Sequence, residues 1–139
     1  MPLKVSEIIK LIGAHGWRLH RTTGSHRHYV HPTRPGVVTV PGKPSKDLPI
    51  GTERSIPEAG RTQQEAPVST YAIIVERADD GGYGAWSPDL PGCVALGDTP
   101  EETMQEMREA IRGHLQVMRE LGEPMPRPNT VIATTVEAA

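Results

Sequence analysis

The sequence predicts an α+β chain of two small domains rather than a protein with one large core. Three observations carry that expectation. First, 139 residues with 14 Gly, 14 Pro, no Phe and 36% hydrophobic content favour short elements, many turns and lean cores. Second, charge divides along the chain. Residues 1–61 hold ten Lys/Arg and four Asp/Glu, a formal +6, with five of the six histidines. Residues 62–139 hold five Lys/Arg and thirteen Asp/Glu, a formal −8. Third, both periodicity and apolar mass vanish between Pro57 and Ser69, which is linker composition. A basic module tied to an acidic one suggests a polyanion binder beside something able to cover it. Two merely solvated surfaces would give the same count.

In the basic part, Val5, Ile8, Ile9 and Ile12 recur at helical spacing, and Gly16 is placed to end that helix in a left-handed conformation. Trp17 to Arg21 alternates like a half-buried strand. Gly24 marks a hairpin turn, Ser25 to His31 a second strand, and Val37 to Val40 a third, stopped by Pro41. A short helix is expected near Thr52. The 13-residue linker, 57–69, would reach at most ~43–47 Å when extended, enough to span two small domains.

In the acidic part, Tyr71 to Glu76 and Tyr83 to Ser87 flank Asp79-Asp80-Gly81-Gly82, a hairpin signal, and Val94 to Leu96 follows as a third strand. Thr99-Pro100-Glu101-Glu102 then offers an N-cap, a proline at the first helical position and a glutamate to close a capping box. Met104, Met107, Ile111, Leu115 and Met118 mark one face of the helix that ends near Gly122, with the methionines read as core filler. Thr130 to Val136 is expected to be a last strand, giving β-β-β-α-β.

The single Cys93 is incompatible with a disulfide scaffold or a four-cysteine zinc site and fits a reducing compartment, so the cytoplasm is the expected location. Beside an apolar strand it reads as buried filler rather than a nucleophile. No apolar run approaches ~18 residues and the N-terminus has no signal-peptide core, so neither a membrane span nor secretion is expected. Asp79 and Asp80 read as turn residues and Asp89 as a loop residue, leaving no paired carboxylates for acid–base work.

Chemistry concentrates in Gly24-Ser25-His26-Arg27-His28-Tyr29. On a strand, His26, His28 and Val30 share one face and Arg27, Tyr29 and His31 the other. Tyr29 is the larger apolar body, so its face should meet the first helix and leave His26 and His28 on an open face. Imidazole takes and returns protons near neutral pH. Ribonuclease chemistry needs a base for the ribose 2′-hydroxyl and cations for the charged phosphorane, and this composition suits it without a metal or other cofactor. His-x-His could instead bind a metal, but no cysteine or nearby carboxylate completes a site. Ordinary surface histidines remain the plainest reading of composition alone.

The run Gly24-Ser25-His26-x-x-Tyr29, His31-Pro32, Pro35-Gly36, Val38-Thr39-Val40-Pro41 and Gly51-Thr52-x-Arg54-Ser55-Ile56 closely resembles the HicA toxin family. Tyr71 to Glu76, Gly82-Tyr83-x-Ala85, Ser87-Pro88-Asp89-Leu90-Pro91-Gly92-Cys93 and Thr99-Pro100-Glu101-Glu102 resemble the N-terminal domain of HicB antitoxins. The resemblance implies a double-stranded-RNA-binding-like α-β-β-β-α messenger-RNA interferase over 1–56 and a partial ribonuclease-H-like antitoxin over 70–139. It maps the family's catalytic histidine onto His26. Ser25, His28, Arg18, Arg21, Arg27 and Lys43 are candidate RNA contacts, the cations chosen by charge and proximity in sequence. Pro57 departs from the family pattern by cutting the last toxin helix after about one turn, and residues 122–139 leave no room for a DNA-binding segment. The expected partners are therefore messenger RNA, the antitoxin half in cis or in trans, and further copies of the chain, with DNA unlikely. The alternative is a non-catalytic RNA-binding or decoy protein with an inactivated toxin half.

Overall fold

The computed structural model describes residues 3–56 and 70–138, so the expected linker lies outside the described residues. The order is α1 (Val5–Ala14), β1 (Arg18–Thr23), β2 (His26–Val30), β3 (Val38–Pro41), α2 (Ile50–Ser55), β4 (Ile74–Arg77), β5 (Tyr83–Trp86), β6 (Val94–Gly97) and α3 (Pro100–Glu120). The strands form two antiparallel three-stranded sheets, β1-β2-β3 and β4-β5-β6. This is the expected α+β class.

Local chemistry explains the boundaries. α1 buries Val5, Ile8 and Ile12. It closes where Gly16 takes φ +95° and the Trp17 amide donates to Ile12 O at 3.0 Å. α2 spans Ile50–Ser55 and ends before Pro57. At its start the Glu76 carboxylate of β4 accepts from the Thr52 amide and, at 2.9 Å, from the Thr52 hydroxyl. The β4–β5 hairpin closes with Ala78 N donating to Gly82 O at 2.8 Å, while Asp80 Oδ1 accepts from Gly82 N at 3.0 Å. Thr99 caps α3, its hydroxyl accepting from Glu102 N at 3.1 Å.

The two sheets meet edge to edge. Thr39 of β3 and Cys93 beside β6 form a parallel bridge, and Thr39 N donates to Gly92 O. α1 and α2 cover one side of this seam and α3 the other. On the α1 side, Val5, Ile8, Trp17, Tyr29, Val38 and Leu48 pack with Val94 and Leu96, so the acidic half contributes to the core beneath α1. On the α3 side, Val37 packs with Ala85, Leu90, Cys93, Met107 and Val117. Burial pushes the Cys93 thiol upward, in keeping with a filler role.

Two expectations need correction. The first strand of the acidic half begins at Ile74, not Tyr71, because its partner strand ends at Trp86, opposite Ile74, and Ser87-Pro88 follow, proline having no amide to donate. The expected final strand, Thr130 to Val136, does not form. Thr130 N donates to the Asp89 carboxylate at 2.8 Å, and Val131 (92% exposed), Ile132 (79%) and Val136 (86%) lie in solvent with no ladder partner among the described residues. β-branched residues favour extended backbone, but a strand also needs an adjacent edge in register.

Candidate active site

Period-two alternation along β2 sorts its side chains as expected. Tyr29 joins the core beneath α1, and Arg27 pairs across to Val40 of that same core. His26 and His28 point the other way. The expectation that this second face lies open is overturned. α3 runs across it, leaving His26 1% and His28 0% exposed. The physical reason is that the acidic half supplies the second helical layer that a three-stranded sheet otherwise lacks.

His28 sits in a buried chain of hydrogen-bonding groups. Its Nε2 lies 2.6 Å from Thr23 Oγ1 and its Nδ1 2.7 Å from Thr39 Oγ1. Thr39 Oγ1 is also 2.6 Å from Nδ1 of His114, which projects from α3. A hydroxyl carries one proton, so Thr39 donates to one imidazole and accepts from the other. Burial pushes His28 down to about 4 and His114 to about 3, so both rings are neutral near pH 7.

His26 is held differently. Its Nε2 is buried with no hydrogen-bond partner among the described residues, 4.0 Å from Glu106 Oε2 of α3. Burial lowers His26 to about 4, opposed by Glu109 and assisted by Lys43. Covered in this way, the ring is almost never protonated at neutral pH and cannot serve as an acid. Lifting α3 would rehydrate it and return it towards its ordinary range, where proton transfer works in both directions.

Acidic residues of α3 meet the basic half along the seam. Ser25 Oγ donates to Glu106 Oε2 at 3.2 Å. Lys43 Nζ is 3.6 Å from Glu102, and Arg21 Nη2 is 3.0 Å from Glu120 without the alignment of a hydrogen bond. Arg21 reaches this face because a register shift between Leu19 and Arg21 sets Arg21, not His20, opposite His28. Arg18 is exposed on β1 and Arg27 lies on the α1 side, so neither is gathered with His26.

Sequence reasoning missed Thr23, Thr39, His114 and Glu106 as members of this site. Two signals were available. His114 falls within the apolar stripe of α3, and Gly113 sits mid-helix, where glycine costs ~1 kcal/mol relative to alanine unless a close approach requires it. A Cβ on Gly113 would lie 2.8 Å from His28 Nε2 and would collide with Thr23 Oγ1. Glycine is what lets the helix seat on the histidine strand.

Known proteins match both halves. Residues 5–63 match the family described as HicA toxin of bacterial toxin-antitoxin, and residues 71–138 match HicB-like antitoxin of bacterial toxin-antitoxin system. A UPF0150 protein of Synechocystis is 34% identical over 65 residues, 47% of this chain and 82% of its own length. A 14.9 kDa protein in the rep-hol intergenic region of Haemophilus phage HP1 is 41% identical over 61 residues, 44% of this chain and 45% of its own. Antitoxin HicB 1 of Photorhabdus laumondii is 31% identical over 61 residues, 44% of this chain and 39% of its own. The chain therefore spans less than half the length of the last two. With both families matched in order along one polypeptide, the chain belongs to the HicA toxins through its first half and to the HicB-like antitoxins through its second.

Proposed function

We propose that this chain is a self-inhibited ribonuclease, in which the basic half cleaves messenger RNA and the acidic half holds it inactive. The observation that supports the reading best is His26. It lies in the Gly-Ser-His run, buried under α3, with a bare Nε2 facing a carboxylate of the acidic half. When α3 is lifted, His26 takes the proton of a ribose 2′-hydroxyl. That oxygen attacks the adjacent phosphorus, the 5′-oxygen leaves and is protonated by solvent, and a 2′,3′-cyclic phosphate remains. Arg21 and Lys43 stabilise the charged phosphorane, so the step draws on no metal. Ser25 and His28 contact RNA, while Arg18 and Arg27 contact it outside the histidine face.

Tethering favours the closed state. Joining two binding modules in one chain makes their encounter intramolecular and raises its effective concentration, so cover in cis is favoured over exchange of a second chain's α3. The substrate on this reading is RNA in the cytoplasm.

The test compares RNA cleavage by the intact chain, by the chain nicked within 57–69 and stripped of its acidic half, and by both with His26→Ala. Cleavage should appear only after stripping and fall by about 10²–10⁴-fold with His26→Ala. Because Val94 and Leu96 complete the core beneath α1, the intact Gly113→Leu chain serves as a second opened form that keeps them. No cleavage from either form while it remains folded would leave a binding protein without catalysis.

A further inference from the structure

We propose that α3 imitates the RNA backbone, its carboxylates standing where phosphates of the substrate bind. Glu106 marks the scissile phosphate, Glu102 a neighbouring one at Lys43, and Glu120 a more distant one at Arg21. This rests on the ribonuclease reading above and adds to it a footprint for the bound strand.

A serine hydroxyl, a lysine and an arginine are the side chains that proteins use to hold phosphate oxygens. Here each faces one carboxylate of the same helix: Ser25 at 3.2 Å from Glu106, Lys43 at 3.6 Å from Glu102, Arg21 at 3.0 Å from Glu120. Spacing is also apt. Glu102 and Glu106 are one helical turn apart, a rise of ~6 Å, comparable with one nucleotide step along a strand. Glu120 lies ~21 Å further along the axis, several nucleotides away.

The second observation is the bare His26 Nε2. A surface shaped only to bind the basic half would give a buried ring nitrogen a partner, since leaving it unpaired is unfavourable. Instead Glu106 Oε2 stops at 4.0 Å from it while bonding Ser25. A carboxylate has two oxygens; a phosphodiester has two free oxygens, and the ribose 2′-hydroxyl lies beyond O3′, C3′ and C2′. Glu106 matches the charge of a phosphate beside Ser25 and leaves the imidazole itself to the reacting group.

The footprint is selective. It includes Arg21, Lys43 and Ser25, and leaves out Arg27, which faces α1. The carboxylates also account for the direction of competition: any polyanion strong enough to replace them in turn must lift α3.

The experiment uses the full chain and a 2′-O-methyl RNA 12-mer, which keeps every phosphate and cannot be cleaved. Binding is read by fluorescence anisotropy over a range of salt. The Glu102→Gln/Glu106→Gln/Glu120→Gln chain should bind the 12-mer at least ~10-fold more tightly than wild type, because near-isosteric amides no longer compete as anions. In the Gly113→Leu chain, where α3 is lifted by sterics, Lys43→Ala and Arg21→Ala should each weaken binding and lower the salt slope by about one. Arg77→Ala, an exposed cation on the outer edge strand β4, should change neither. A triple-Gln chain that binds no better than wild type overturns the mimicry. So does a Gly113→Leu chain whose RNA binding ignores Lys43 and Arg21, and in that case His26-dependent cleavage of ordinary RNA still upholds the ribonuclease reading. Failure of that reading shows separately, as a folded Gly113→Leu chain that neither binds nor cleaves RNA.

Discussion

Three imidazoles share the buried seam, and each is held neutral by burial: His26 and His28 are lowered to about 4 and His114 to about 3. In the unfolded chain each would titrate near 6.5. Above pH 6.5 neither state binds the proton, so the folded structure keeps its full stability. As pH falls from 6.5 towards 4 the unfolded chain takes up protons that the folded one refuses, and stability falls by up to ~1.4 kcal/mol per pH unit for each ring. Because Thr39 links His28 to His114, those two titrate as a pair. Urea midpoints should therefore drop between pH 7 and pH 5, and less steeply, by about one proton, in His114→Gln. Equal slopes in the two proteins would mean that the seam is wet. At this scale the sequence was half legible. The face carrying His26 follows from strand alternation alone. The bulge that turns Arg21 towards His28 leaves no local trace, and Thr39 meets His114 across 75 positions of chain, a partnership that no local pattern encodes.

Among the elements, α3 does the most and was read only in part. Its start at Thr99 was legible because the cap is a local event, three residues from hydroxyl to amide. Its packing was not. An apolar count picks out Met104, Met107, Ile111, Leu115 and Met118 as one stripe, yet Met104 is 36% exposed, while Ala110, Gly113, His114 and Val117 are buried. The helix has two working faces, one apolar against β4–β6 and one of glycine, histidine and glutamate against β2 and β3. A hydrophobic pattern detects only the first. Gly113 is the narrowest point of the second. Gly113→Ala gains ~1 kcal/mol of helix propensity but sets a methyl 2.8 Å from His28 Nε2, and overpacking costs typically ~1–3 kcal/mol. Gly113→Leu cannot be accommodated at all with α3 seated. Amide hydrogen exchange should show α3 losing protection in Gly113→Leu while α1 keeps its own. Unchanged exchange in α3 would mean that the helix can shift along the sheet and that this glycine is not what seats it.

For the whole molecule, the joined sheets place β3 and β6 edge to edge at the centre and leave β1 and β4 as the outer edges. β4 pairs only with β5, so its other side presents unpaired backbone groups among the described residues. The same half carries Thr130 to Val136, rich in β-branched residues and outside any strand, with Val131, Ile132 and Val136 between 79% and 92% exposed. A chain that shows both a free edge and a free strand former is prone to pair with a second copy. The base of the segment is fixed by Thr130 N on Asp89 and by the Tyr71 hydroxyl on Pro126 O, which leaves its apolar part free to reach outward. The expected outcome is a dimer in light scattering after gel filtration at tens of micromolar. Val131→Lys with Ile132→Lys should return it to a monomer, since charge on a would-be edge strand opposes pairing. The RNA cover need not follow: α3 meets β2 within one chain, far along the sequence from this segment, so the monomeric double-Lys protein should stay as silent towards RNA as wild type. A double-Lys chain that began to cleave RNA would instead show that inhibition is exerted between copies, one chain's α3 lying on the other's His26.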